Sequence, residues 1–241
     1  MAQVPRDADC KVPPKSASLG LVPAALTILF RDAQLIAVDK PAGLAVHRGW
    51  ARERDVAMVR LRDQLGARVF PVHRLDRATS GVLLFALSAE MAARVCASFA
   101  AGKTDKTYLA LVRGVPPEEI LVDHPLPPGE DTHAPRVAAQ TRIVRREVFG
   151  RYSLVEARPL TGRLHQVRRH LKHISCPLIG DVNYGKGEHN RLFRERHGLH
   201  RLFLHATRLS LPHPADGGQV DIASPLPAEL EAVLQALREG T

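Results

Sequence analysis

Nine residues, His73-Arg74-Leu75-Asp76-Arg77-Ala78-Thr79-Ser80-Gly81, form a dense set of reactive side chains. A single carboxylate, Asp76, stands there among His73, Arg74 and Arg77. A carboxylate among cations keeps its charge, which suits a nucleophile or an electrostatic stabiliser better than a general acid. A plainer arrangement also fits, in which Asp76 pairs with a neighbouring arginine and Thr79, Ser80 and Gly81 make a turn. A second set runs Gly162-Arg163-Leu164-His165-Gln166-Val167-Arg168-Arg169-His170-Leu171. On a helix, Leu164, Val167 and Leu171 would form one apolar stripe. Arg163 and Arg168 leave it on different sides, so one could reach a buried carboxylate while the other meets a phosphate. The alternative is a basic amphipathic helix on the surface. Tyr108, in Lys106-Thr107-Tyr108, reads by itself as a core aromatic at a strand edge.

Other groups point to less. His165, His170 and His173 share the second segment, but their spacing spreads them around a helix and no Asp, Glu or Cys joins them. No metal site is expected. Gly180–Gly187 (GDVNYGKG) is glycine-rich, yet it lacks the ending of a phosphate-binding P-loop and precedes no clear helix.

Short elements must position these residues. Ile28–Arg31 and Leu35–Asp39 pattern as a hairpin, and Met58–Leu65 as an amphipathic helix stopped by Gly66. The nine-residue loop lies between strand-like Val69–Val72 and apolar Val82–Leu87. Such a loop, pinned between core strands, is where a scaffold presents reactive groups. Ser88 is placed to cap a helix through Phe99. Tyr108–Val112 is strand-like, and a Pro/Gly-rich crossing follows from Pro116 to Pro135. Gln140–Glu147 and Tyr152–Arg158 pattern as an antiparallel pair meeting at Phe149-Gly150. A basic helix is expected from Thr161 to about Ile174, late strands over Leu202–Leu211 and Gln219–Ile222, and a closing helix over Pro227–Arg238. Locally pairing strands outnumber helices, which predicts an α+β fold around a mixed, mainly antiparallel sheet with flanking helices. Residues 1–24 read as a flexible Pro-rich leader and 25–241 as one domain.

Composition narrows the partners. The 241 residues carry a net charge of +9, with 45% hydrophobic and 24% charged residues. That balance is ordinary for a globular protein and excludes fibrous or disordered classes. Residues 141–200 hold 13 lysines and arginines against 5 acids, which is nearly the whole excess. Such focusing favours a surface that follows phosphates; a solvated basic face is the plain alternative. Cys10, Cys96 and Cys176 are odd in number and far apart, which fits a reducing compartment. The start lacks the apolar stretch of a signal peptide, and no run is long enough for a membrane span. A cytoplasmic monomer with no membrane association is expected.

Taken together, these motifs resemble the RluA family of RNA pseudouridine synthases over roughly residues 26–236. The resemblance rests on Lys40-Pro41-Ala42-Gly43, HRLDRATSG at 73–81, Lys106-Thr107-Tyr108, GRLHQVRRHL at 162–171, GDVNYG at 180–185 and Leu204-His205-Ala206. It implies a synthase fold with a central RNA-binding cleft, without the S4-like domain of larger members. The implied activity is isomerisation of uridine in RNA, with Asp76 as catalytic carboxylate, acting either as covalent nucleophile or through a glycal. The family pattern sets Arg168 against Asp76 and stacks Tyr108 on the flipped base. Arg74 fills the gap the base leaves, and Arg77, Arg163 and Arg169 are candidates for RNA contact. Val167 and Leu204 wall the uracil pocket, and no cofactor or metal is implied. Val46-His47-Arg48-Gly49-Trp50 and the segment from Gly187 to Ala206 bring the chain nearest to members acting on tRNA at position 65. A 23S rRNA target, or both RNAs, is the alternative within the family. Outside it stands a non-catalytic RNA-binding protein.

Overall fold

The computed structural model describes residues 24–47, 55–129, 131 and 134–240. The leader over 1–24 lies outside these residues but for Ala24, as do Arg48, Gly49 and Trp50. In chain order the first half comprises β1 (Thr27–Arg31), β2 (Leu35–Lys40), α1 (Ala57–Leu65), β3 (Phe70–Pro71), β4 (Ser80–Ala86), α2 (Ala89–Ala100), β5 (Asp105–Arg113) and β6 (Glu119–Asp123). The second half comprises β7 (Gln140–Phe149), β8 (Tyr152–Pro159), α3 (Gln166–His173), α4 (Gly187–His197), β9 (Leu204–Pro212), β10 (Gln219–Ala223) and α5 (Ala228–Arg238).

The strands form one sheet in the order β1-β2-β4-β9-β5-β8-β7-β6, with β3 on β4 and β10 on β9. Every pairing is antiparallel except β4 with β9. The α+β expectation of a mixed, mainly antiparallel sheet with flanking helices therefore holds. Helices cover both faces of the sheet, so β4 is buried along its whole length. In β2, Ile36 and Val38 join a core with Leu61 of α1, while Leu35 and Ala37 join Met91 and Val95 of α2 on the other face. Across the sheet, Ala110 and Val112 pack with Val167 and Leu171 of α3, whereas Leu111 packs with Phe193 of α4 and Leu230 of α5. Ser88 caps α2 by accepting from Met91 N at 3.1 Å. No described helix is long and apolar enough to cross a membrane.

Four elements differ from the sequence reading. The crossing from Pro116 to Pro135 contains β6, an edge strand in which only Val122 is fully buried, so it shows little apolar alternation. The Val69–Val72 strand shrinks to Phe70–Pro71, since proline cannot donate to a ladder. The helix expected from Thr161 begins only at Gln166, because His165 takes a left-handed conformation, φ 52°. Conversely, Gly187–His197 is helical although nothing before it announced a helix. Of its residues only His189 and Phe193 are buried, which leaves too few apolar positions for a visible period.

The centre of the sheet sets the functional geometry. Ser80 and Gly81, at the end of the nine-residue loop, pair with His205 and Ala206 of β9. On the other side of β9, Ala206 pairs with Tyr108 of β5. One small residue thus separates the strand that follows Asp76 from the strand that carries Tyr108. At Gly81, φ is +111°, and an added Cβ would stand 2.2 Å from Ala206 O. Gly81→Ala is expected to cost at least about 3 kcal/mol, from backbone strain and a clash that only a shift of β4 could relieve. Urea unfolding checks this, and a loss under about 1 kcal/mol would refute the close approach as a constraint.

Candidate active site

The loop that carries Asp76 is held from below by backbone contacts. Gly43 N donates to Arg77 O (2.8 Å), and Arg77 Nε donates to Gly43 O (2.9 Å). Beneath them lies Lys40, fully buried, whose Nζ donates to the carbonyls of Pro41 (2.8 Å), Leu44 (2.8 Å) and Arg77 (3.2 Å). Burial, reinforced by Arg201, lowers this ammonium to about 7, although Asp76 and Asp39 oppose the shift. Leu75 is buried in the core, and Thr79 N closes a turn on Asp76 O at 3.0 Å. The Lys40-Pro41-Ala42-Gly43 motif is therefore a support for the loop that carries Asp76.

The cations next to Asp76 in sequence are not its partners in space. The His73 ring stacks on Phe99 and its Nε2 accepts from Leu84 N (3.0 Å). Burial, and secondarily Lys106, lowers it to about 4, so it is neutral at pH 7. Arg77 turns to Gly43. The partner comes from 92 residues away: Arg168 NH1 donates to Asp76 Oδ2 at 3.1 Å.

Arg168 is buried on α3 and also grips a second carboxylate. Its Nε donates to Asp181 Oδ2 (2.8 Å) and its NH2 to Asp181 Oδ1 (2.9 Å). Asp181 is itself buried, and its Oδ1 accepts from Asn183 N (2.9 Å) and Tyr184 N (3.0 Å). Burial by itself would raise this carboxyl, but the Arg168 bonds and those backbone amides hold it below its ordinary value. The Arg168 guanidinium also lies over the Tyr184 ring, 5.1 Å from its centre.

The start of α3 is fixed by one amide. Gln166 Oε1 accepts from Thr161 Oγ1 (2.7 Å) and Arg163 N (2.9 Å), while its Nε2 donates to Gln140 O (2.9 Å) and Thr141 Oγ1 (3.0 Å). This bracket holds residues 161–165 in a bend and a turn over the cleft instead of winding them into the helix. His165 Nδ1 meets Tyr184 Oη at 3.1 Å, and its Nε2 lies 3.8 Å from Asp76 Oδ2. Burial holds this imidazole below its usual value, against the pull of Asp76.

These groups surround a cleft of about 550 Å³, in the range of small-ligand sites. Asp76, Arg168, Tyr108, Arg74, Arg163, Val167 and Leu204 all line it. Burial, and then the charge of Asp76, pushes the Tyr108 phenol well above its ordinary value, so it is protonated at any working pH. Arg77 and Arg169 do not line the cleft; Arg169 donates to the carbonyls of Pro127 (3.3 Å) and Leu164 (3.5 Å). Sequence reasoning quoted GDVNYG without seeing a role for Asp181. The available signal was an acid in a segment where cations outnumber acids more than twofold. The His205 of Leu204-His205-Ala206 is likewise a brace. Arg201 NH2 donates to Ser80 Oγ (2.6 Å), which leaves the Ser80 hydroxyl to donate to His205 Nδ1 (2.8 Å).

A family model described as RNA pseudouridylate synthase matches residues 34–173. The chain belongs to the RNA pseudouridylate synthase family. Among its relatives, the protein named tRNA pseudouridine synthase C of Vibrio parahaemolyticus is 43% identical over 215 residues, covering 80% of this chain and 87% of its own. The protein of the same name from Haemophilus influenzae is 39% identical over 230 residues, covering 87% and 96%. Two solved human proteins, RNA pseudouridylate synthase domain containing 4 and 1, superpose with TM-scores of 0.73 and 0.71. Their identities are 28% and 25%, covering 88% and 92% of this chain and 93% and 98% of theirs. The resemblance to RluA-type synthases holds, and this pseudouridylate synthase is by family an RNA isomerase.

Removing one partner of a buried ion pair costs roughly 3–5 kcal/mol, because the other charge is stranded. Arg168 would keep Asp76, so Asp181→Asn is expected near the low end, about 3 kcal/mol at neutral pH. The folded Asp181 carboxyl sits below its unfolded value of 3.8, so its stabilisation is present above that value and fades as the pH falls through the depressed one. Urea unfolding of both chains should show the gap at pH 7 and its narrowing in acid below about pH 4. Equal stability at pH 7 would refute the clamp.

Proposed function

We propose that this pseudouridylate synthase converts uridine to pseudouridine in tRNA, at position 65, with Asp76 as the catalytic carboxylate. The observation that carries the reading is the placement of Asp76 at the cleft wall, held by an arginine that a second carboxylate aims. Relatives named tRNA pseudouridine synthase C, matching over most of both chains, support tRNA as the substrate.

The chemistry follows from the geometry. A stacked uracil must leave the RNA helix, at a cost of a few kcal/mol, and enter a pocket that reads its edge. Arg74, exposed at the cleft, fills the space it vacates; a planar guanidinium stacks and donates there as lysine cannot. Breaking the C1′–N1 bond develops positive charge at C1′, as in glycoside hydrolysis, and a fixed carboxylate opposite it lowers that barrier. Asp76 either attacks C1′, forming an ester that C5 of the uracil later displaces, or takes the C2′ proton to give a glycal and returns it when C5 bonds to C1′. The uracil then turns between Val167, Leu204 and the Tyr108 ring and rejoins through C5, whose proton leaves to solvent while N1, freed from C1′, takes one up. A neutral phenol at Tyr108 stacks on the base without adding charge beside Asp76. Arg163, with its Nε on Ala138 O at 3.1 Å, presents the rest of its guanidinium to a phosphate.

Tritium release from [5-³H]uridine-labelled RNA tests this, with tRNA transcripts and a 23S rRNA fragment compared side by side. Release from tRNA is expected, and Asp76→Asn should cut it by at least about 10³-fold while RNA binding persists. Release only from the ribosomal fragment would keep the reaction and overturn the substrate. Silence on both, from a folded and RNA-bound protein, would favour a binding protein without turnover. With residues 25–241 as the catalytic unit, deleting 1–24 should leave tRNA turnover within a few-fold; a large loss would show that the leader contributes to it.

A further inference from the structure

Outside the cleft, basic side chains from three segments converge. His124 follows β6, Arg136 precedes β7, and Arg169, His170 and His173 lie on α3. The His124 and His173 rings stack, with centres 3.7 Å apart and planes 15° from parallel. Arg136 NH1 lies 3.1 Å from His124 Nε2. The nearby carboxylate of Asp123 is occupied by the Gln140 amide at 2.8 Å. Among the described residues, no acid forms an ion pair with any member of the cluster.

The hydrogen bonds fix protonation states. A guanidinium only donates, so His124 Nε2 must carry a lone pair, and that ring is neutral. His170 Nε2 faces the His124 carbonyl at 3.0 Å and must donate, which leaves its Nδ1 to accept from Thr141 Oγ1 (2.8 Å). His170 is buried and fully used. His124 and His173 are not, and Arg136 is exposed. Burial, and then His173, Arg136 and Arg169, keeps the His124 imidazole below its ordinary value.

The cluster adjoins the cleft. Arg169 donates to the carbonyls of Pro127 and Leu164, and both Leu164 and Pro128 line the cleft. We propose that His124, His173, Arg136 and Arg169 form a subsite for a backbone phosphate beside the flipped nucleotide, and that its occupation is coupled to uptake of one proton by His124. An arriving phosphodiester draws Arg136 off His124 Nε2, and that nitrogen takes a proton from solvent and donates to a phosphate oxygen. Two stacked rings cannot both charge cheaply, so the coupling is limited to about one proton. The inference rests on RNA being the ligand of the cleft.

The sign follows from linkage. Binding raises the His124 affinity for protons, so RNA affinity must rise as the pH falls, by up to about tenfold per unit for one proton. The test is affinity for an unmodified tRNA transcript at fixed salt, from about pH 8 to about pH 5.5, using the full Asp76→Asn chain so that no turnover intervenes. Affinity should rise at least about fivefold over that range, and His124→Gln should remove most of the rise. Exposed Arg136 can be replaced without disturbing the core. Arg136→Gln should weaken binding at every pH and lower the slope of log affinity against log salt by about 1. Affinity that is flat with pH, a rise that survives His124→Gln, or an unchanged salt slope in Arg136→Gln overturns the subsite. If the wild-type chain still releases tritium, the proposed reaction stands without it. A folded chain that binds no RNA at any pH overturns the proposed function and this inference together.

Discussion

A buried guanidinium between two carboxylates governs the rest of this structure. Arg168 alone in the interior would be prohibitive, and a single buried pair often fails to recover the cost of desolvation. Here Asp181 takes two of the guanidinium donors and Asp76 a third. Asp181 is in turn satisfied by two backbone amides. The network leaves one carboxylate, Asp76, partly exposed to the cleft while the rest is closed from water. A charge held this way cannot drift toward solvent or rotate out of reach of a substrate, which is what preorganisation requires.

The fold is arranged to supply those three residues from three places. Asp76 comes from the loop before β4, Arg168 from the first turns of α3, and Asp181 from the turn before α4. The loop is clamped by the Gly43–Arg77 backbone pair over buried Lys40, the helix by Gln166, and the turn by Asn190. Asn190 accepts from Gly180 N and donates to Asp181 O, each at 2.8 Å, which ties the basic α4 directly to the carboxylate that aims Arg168. Gly180 can have no side chain there, since a Cβ would meet Arg201 O at 2.0 Å. Rigid neighbours on every side explain why the site rests on a sheet with both faces covered.

The positive charge is distributed less simply than its concentration in residues 141–200 suggests. On β7 and β8, Arg142 pairs with Glu119, and Arg146 and Arg158 share Glu156. These cations are largely neutralised where they stand. Arg151, Arg163, Lys172, Lys186, Arg191, Arg194 and Arg196 are exposed and remain available to an anionic surface. The positive charge left without a carboxylate partner among the described residues therefore lies on α3, α4 and the neighbouring loops more than on the strands.

By itself the sequence determined the elements with strong local patterns and the motifs that carry chemistry. The hairpin of β1 and β2, the Ser88-capped α2 and the β7–β8 pair are legible because period and turn residues act over a few positions. Asp76, Tyr108 and Arg168 were legible as motif residues, and all line the cleft. Tertiary structure alone decided what each one touches. His73, Arg74 and Arg77 surround Asp76 in sequence, yet its ion partner is 92 residues away. Asp181, Lys40 and His165 gained their places from contacts that no local pattern encodes, and Arg77 and Arg169 turned out to brace backbone carbonyls. The late start of α3 and the helicity of Gly187–His197 were hidden for the same reason. A single amide bracket and two buried side chains decide them, and those energies exist only once the sheet has brought distant segments together.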